Sequence, residues 1–185
     1  MYPFIRLGLS ISKSTLSTLR GERLPITETS TIHYTCHIND IDNFLELNNG
    51  RVLTLFDLGR TDFAIRTGLG KQLIYHKWGL VVAGSSIQYR KRVRLFQKTS
   101  IHTRLIGVDE RWFYIEQVMT VNDKATSQAL LRTAVTNIKT GKTIPTKQVL
   151  DAIGHTDFQL PPPKWVQAWI DADKMRKFPE LRDTI

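Results

Sequence analysis

The chain has one cysteine, Cys36, so no internal disulfide can staple it, and its makeup fits a reducing compartment. No apolar run approaches the roughly 20 residues that a membrane-spanning helix needs. The first residues lack the compact apolar core and cleavage site of a secretory signal, so a cytoplasmic location is expected. There is no internal repeat, no low-complexity tract and no His/Cys spacing of a metal site. Acids are missing from two stretches. Residues 1–21 carry Arg6, Lys13 and Arg20 among several serines, which reads as a surface helix leading into the domain, with an organellar transit peptide as the alternative. Residues 71–108 hold eight Lys/Arg and no Asp or Glu, which is nearly the whole net charge of +9. That local excess predicts an anionic partner nearby; the plain alternative is a solvated basic face.

What is present is ordinary for a globular domain: 185 residues, 41% hydrophobic and 23% charged. From Thr31 to Ile38, Ile32, Tyr34, Cys36 and Ile38 alternate with Thr31, His33, Thr35 and His37, the period of a half-buried strand. Cys36 lies on the apolar side and reads as core; His33 and His37 read as surface. From Gly50 the spacing changes to three and four through Val52, Leu55, Phe56, Gly59 and Phe63, which predicts a helix ended by Gly68 and Gly70. Four long strands follow, over 79–95, 99–108, 111–122 and 126–138. A short helix is expected over about 145–153, then a last amphipathic helix docked through Trp165 and Trp169. One helix followed by antiparallel strands is an α+β layout in which the sheet wraps a buried helix. The domain is expected over 30–140, with an N-terminal extension over 1–29 and a C-terminal helical extension over 141–185.

Between the first strand and the long helix, the loop from Asp40 to Gly50 gathers Asp40, Asp42, Glu46, Asn48 and Asn49. Side-chain hydrogen-bonding groups and unpaired helix N–H groups then surround one point, which suits polarising a carbonyl. A carboxylate such as Asp42 can act as base or nucleophile, and Asn48 or Asn49 with N–H groups near Gly50 and Arg51 can hold the oxygen. The plainer roles are a loop-shaping turn for Asp42, a helix cap for the asparagines, and an Asp57–Arg60 pair on an exposed face. Further on, alternation along the basic strand Tyr89-Arg90-Lys91-Arg92-Val93-Arg94 puts Arg90, Arg92 and Arg94 on one face, where guanidinium forks match phosphate oxygens.

The run Asp40–Asp57 resembles that of the hotdog-fold acyl-CoA thioesterases, which include 4-hydroxybenzoyl-CoA thioesterase. In that family an Asp-rich turn runs into Asn-Asn-(small)-(basic)-Tyr-Leu and the central helix. The likeness covers roughly residues 30–140. It implies a hotdog fold: an antiparallel sheet around one long central helix, here with extra terminal helices. It implies an acyl-CoA thioester hydrolase, a dimer or tetramer with the site at the subunit interface, and no cofactor beyond the coenzyme A of the substrate. Residue by residue, Asp42 falls where one branch has its catalytic aspartate, seven before Asn49, and Asp57 falls where another branch has a catalytic carboxylate. Gly50 and Arg51 at the helix start, with Arg90 and Arg92 of the basic strand, are expected to bind substrate and CoA. Two departures stand out. Glu46 occupies a position often held by His, and Val52 one usually held by Tyr, whose loss is expected to widen the acyl end of the pocket.

Two other functions compete. A non-catalytic acyl-CoA or acyl-carrier-protein binding protein of the same fold is motivated by Glu46. A nucleic-acid-binding module could use the basic segment, but the chain lacks the aromatic-basic motifs of common RNA-binding folds, so no nucleic-acid partner is expected.

Overall fold

The computed structural model describes residues 4–176. It has helices α1 (Phe4–Leu19), α2 (Asn49–Arg66), α3 (Leu69–His76), α4 (Thr146–Ala152) and α5 (Lys164–Met175). Its strands are β1 (Ser30–Thr35), β2 (Trp78–Tyr89), β3 (Lys98–Val108), β4 (Phe113–Val121), β5 (Lys124–Asn137) and β6 (Thr143–Ile144). All pairings are antiparallel and the order is β1-β3-β4-β5-β2. The meander β3–β4–β5 makes the centre, and β1 and β2 form the two edges. Where the β4 ladder ends at Phe113–Thr133, β6 takes over β5 at Val135 and Thr136.

The inner face of the sheet wraps α2. The helix starts because Asn48 caps it: the side-chain oxygen accepts from the N–H groups of Gly50 and Arg51. Its apolar spacing then buries Val52, Leu55, Phe56, Leu58 and Phe63, with Leu55 and Phe56 packed among Ile101, Met119 and Leu131. Gly59 is where the helix lies closest to the strands; a Cβ there would meet Thr103 Oγ1 at 2.7 Å. This is the expected α+β arrangement, a sheet around one long buried helix.

The outer face is covered by α5. Val166 and Ile170, four apart, bury against Tyr114 and Leu130. Arg132 lies between the rings of Trp112 and Trp169, at 5.1 and 5.4 Å, and pairs with Asp173 at 2.7 Å. The docking stripe is therefore Val166/Ile170 with Trp169 beside it, while the expected partner Trp165 is half exposed. The tail of the expected C-terminal extension, 177–185, lies outside the described residues.

Two further expectations are corrected. Gly68 and Gly70 do not both end the central helix. Gly68, at φ +88°, turns the chain at its end, and α3 starts at Leu69 with Gly70 inside it. The strand expected over 79–95 stops at Tyr89. Beyond it the N–H groups of Arg90 and Lys91 both reach the Thr126 carbonyl, and Val93 turns into the core to accept from the Leu47 N–H. Burial of Val93 beneath the 40–48 loop overrides the ladder. Arg90, Arg92 and Arg94 therefore sit on an irregular connection and not on one face of a strand.

Candidate functional site

Two recesses lie between α2 and the edge strand β2. The first, at the start of α2, is lined by Glu46, Asn49 and Val52 on one side and Tyr89, Arg90 and Arg92 on the other. The second, further along α2, is an apolar cleft of about 160 Å³ between Phe63, Ala64 and Leu69 on the helical side and Leu80, Val81, Val82, Phe113 and Ile115 of the sheet. Val149 and Ile153 of the α4 region also line it, and Asp57 and Arg60 are the charged residues on its wall.

The two asparagines divide the work. Asn48 is the helix cap, and its Oδ1 takes up the N–H groups of Gly50 (2.9 Å) and Arg51 (3.3 Å). The Val52 N–H goes to the Asn48 carbonyl. The Asn49 N–H and side-chain amide have no partner among the described residues, while its carbonyl accepts from the Tyr89 hydroxyl at 3.1 Å. Of the pair, Asn49 is the one that lines the recess.

The two aspartates differ as sharply. Asp42 closes a turn: Oδ1 accepts from the Phe44 N–H at 2.8 Å and more weakly from the Glu46 N–H at 3.4 Å. Its Oδ2 accepts no hydrogen bond among the described residues. Asp57 pairs with Arg60 at 2.9 Å, and Arg60 is in turn fixed by Gln117 at 2.7 Å. Gln117 is fully buried and also donates to the Phe56 carbonyl and to Thr103. A polar spine thus runs from the sheet through α2 to the cleft. Sequence reasoning missed Gln117; its only signal was an amide within an apolar alternation.

The remaining predicted residues are placed as follows. Arg51 reaches away from the recess to the buried Asp40, at 3.3 Å, and to the Asn39 carbonyl. Gly50 is exposed at the helix start. Arg90 donates to Gln88, and Arg92 pairs with Glu46 at 3.2 Å. Glu46 therefore places an acceptor where the resemblance has an imidazole, and it offsets one cation of the basic connection. Val52 is buried and lines the polar recess, not the apolar cleft. Cys36 is buried in the core, and desolvation raises its thiol pKa, as the negative charge of Asp40 does to a lesser degree.

β2 is the outer wall of both recesses, and its free edge is open. Leu80, Val81 and Val82 are exposed there, as are Ile74 and Tyr75 of α3. The strand contains no lysine or proline to block pairing.

Comparison with known proteins agrees with this fold. The model of the thioesterase-like superfamily matches residues 36–170. Protein THEM6 of Drosophila melanogaster is 30% identical over 160 residues, covering 82% of this chain and 80% of that protein. Among solved structures, the probable thioesterase YbaW from Escherichia coli superposes with a TM-score of 0.62 at 20% identity, over 68% of this chain and 96% of that one. SAV2348 from Staphylococcus aureus, solved in complex with CoA, has a TM-score of 0.63 at 15% identity, over 77% and 92%.

Proposed function

Because the chain belongs to the thioesterase-like superfamily, we propose that it hydrolyses acyl-CoA thioesters to the free acid and coenzyme A. The observation that carries this reading is the pair of recesses along one helix, a cationic one at the N-terminus of α2 and an apolar one further along it. An acyl chain fits the apolar cleft, with the thioester towards the helix start and the pantetheine arm and phosphates towards Arg90 and Lys91. The CoA held by the Staphylococcus aureus protein of similar fold supports that choice of ligand.

The thioester oxygen is held by the N–H and side-chain amide of Asn49, since Asn48 has already taken the neighbouring donors. Asp42 activates water. Its turn fixes the carboxylate through Oδ1 and leaves Oδ2 facing no protein donor, so a base is oriented without being neutralised. Asp57 is the second reading, favoured by its place on the cleft wall; its carboxylate is already engaged by Arg60.

The open edge of β2 supports a homodimer in which a second copy pairs along that strand and closes both recesses from outside. Release of free thiol from short, medium, long and aromatic acyl-CoAs tests the activity. Asp42→Asn is expected to lower kcat by about a hundredfold or more, with Asp57→Asn losing much less. The reverse order transfers the role to Asp57. Acyl-CoA-dependent thermal stabilisation without any thiol release would instead establish a binding protein.

A further inference from the structure

Helix α1 is amphipathic with its faces reversed. Placed on a helical projection, Phe4, Ile5, Leu9, Leu16 and Leu19 fall within an arc of about 140°, and all five are exposed, Ile5 by 82% and Leu19 by 79%. The opposite side carries Ser10, Ser14, Ser17 and Arg6. That polar side meets the protein: Ser14 is the one buried residue of the helix, and its hydroxyl donates to the buried Asp62 of α2. Arg6 donates to both oxygens of the buried Asp40 at 2.9 Å and lies over the Tyr34 ring. Directed polar contacts, with the half-buried Leu7 packed on the core beside them, thus hold α1 down while its apolar arc points outward. A surface helix on a globular domain normally does the opposite.

We propose that this outward face seats the protein on an anionic lipid surface. Charge favours that occupant. α1 has no acid, and Lys13 and Arg20, both exposed, border the apolar arc. Apolar bulk on one side with cations along its rim is the pattern of helices that lie in the headgroup region. The Arg6–Asp40 tie also sets the start of α1 beside the 38–45 loop, whose Ile38, Phe44 and Leu45 are exposed. The Glu46–Arg94 bridge joins that loop to the basic connection, extending the cationic border.

A second copy is the weaker occupant. α1 packs beside β1, where it forms a groove with Ile32 and Tyr34, and β1 is the edge opposite β2. Pairing of two copies along β2 leaves α1 uncovered. The surface is also a projecting helix, which a bilayer accepts without a matching pocket.

Flotation of the full chain with vesicles tests the proposal, using phosphatidylcholine alone and phosphatidylcholine mixed with phosphatidylglycerol. Wild type is expected to float with the mixed vesicles and to stay below with the neutral ones. Combined Ile5→Ser, Leu9→Ser and Leu16→Ser is expected to weaken binding by about tenfold or more. Combined Lys13→Glu and Arg20→Glu should weaken it by a similar factor. Both variants should retain the wild-type circular dichroism and thiol-release rate. Failure of wild type to float with either vesicle overturns the proposal, as does undiminished flotation of the serine variant. A fall in particle mass on serine substitution, measured by sedimentation without lipid, assigns the face to a second copy instead.

Discussion

Helices α1 and α2 lie side by side, yet they are held by opposite means. α2 is surrounded. Sheet, α1 and α3 all touch it, and it buries Leu55 and Phe56 completely. α1 buries a serine and turns Leu9, Leu16 and Leu19 outward, with only Leu7 half buried against the core. Position in the fold, more than composition, decides which face of a helix is the inner one. Burial of apolar area is non-directional and tolerates small shifts, whereas a hydroxyl on a carboxylate must stay within a few tenths of an ångström. α2 should therefore report on the global fold, and α1 on a few named bonds.

Substitutions can break that contrast or sharpen it. The largest effect should come from Phe56→Ala, which empties a fully buried site beneath the sheet. A loss of about 3–5 kcal/mol is expected in urea unfolding, with all probes moving together. Asp62→Ala removes the acceptor shared by Ser14 and Ser30. It should cost about 1–3 kcal/mol, with amide exchange rising in α1 before it rises in α2. If both helices exchanged together, the contrast would be wrong.

Gly59→Ala sets a new Cβ against Thr103, Gln117 and Ile101, all within 3.0 Å. Overpacking of about 1–3 kcal/mol is offset in part by the roughly 1 kcal/mol that alanine gains over glycine in a helix, so a net loss of up to about 2 kcal/mol in thermal unfolding is expected. The smallest effect belongs to Leu16→Ser on the outward arc. Its stability should stay within about 0.5 kcal/mol of wild type, so any larger loss would mean that the arc is packed on protein.

The sequence made the frame legible where local chemistry agrees with the fold. The spacing Val52-Leu55-Phe56-Gly59-Phe63 describes the buried stripe of α2, and Asp109 with its neighbours marks the β3–β4 turn. It was less informative where distant residues decide. Arg90–Arg94 alternates well enough for a strand, but the pull of Val93 towards Leu47 depends on a loop more than forty positions earlier. Gly68-Leu69-Gly70 reads as a stop, and only the left-handed φ of Gly68 lets a new helix begin at once. The asparagine pair was visible as a pair; its division into cap and free amide follows from the helix starting at Asn49. Gln117 and Asp62 were silent, because a buried polar group is explained by partners that lie far along the chain.

The strand order also carries a consequence for how the chain is made. β1 pairs with β3, and β2 with β5. Every ladder partner of the first two strands is therefore translated after them, and so are Ile101, Met119 and Leu131, on which α2 packs. During synthesis α2 leaves the ribosome with its apolar stripe formed and no sheet to receive it. Only when the meander through Asn137 has emerged can the earlier half close around its core. The nascent chain thus passes through a long window with its most deeply buried helix uncovered, and it is in that window, more than in the finished protein, that a chaperone has most to hold.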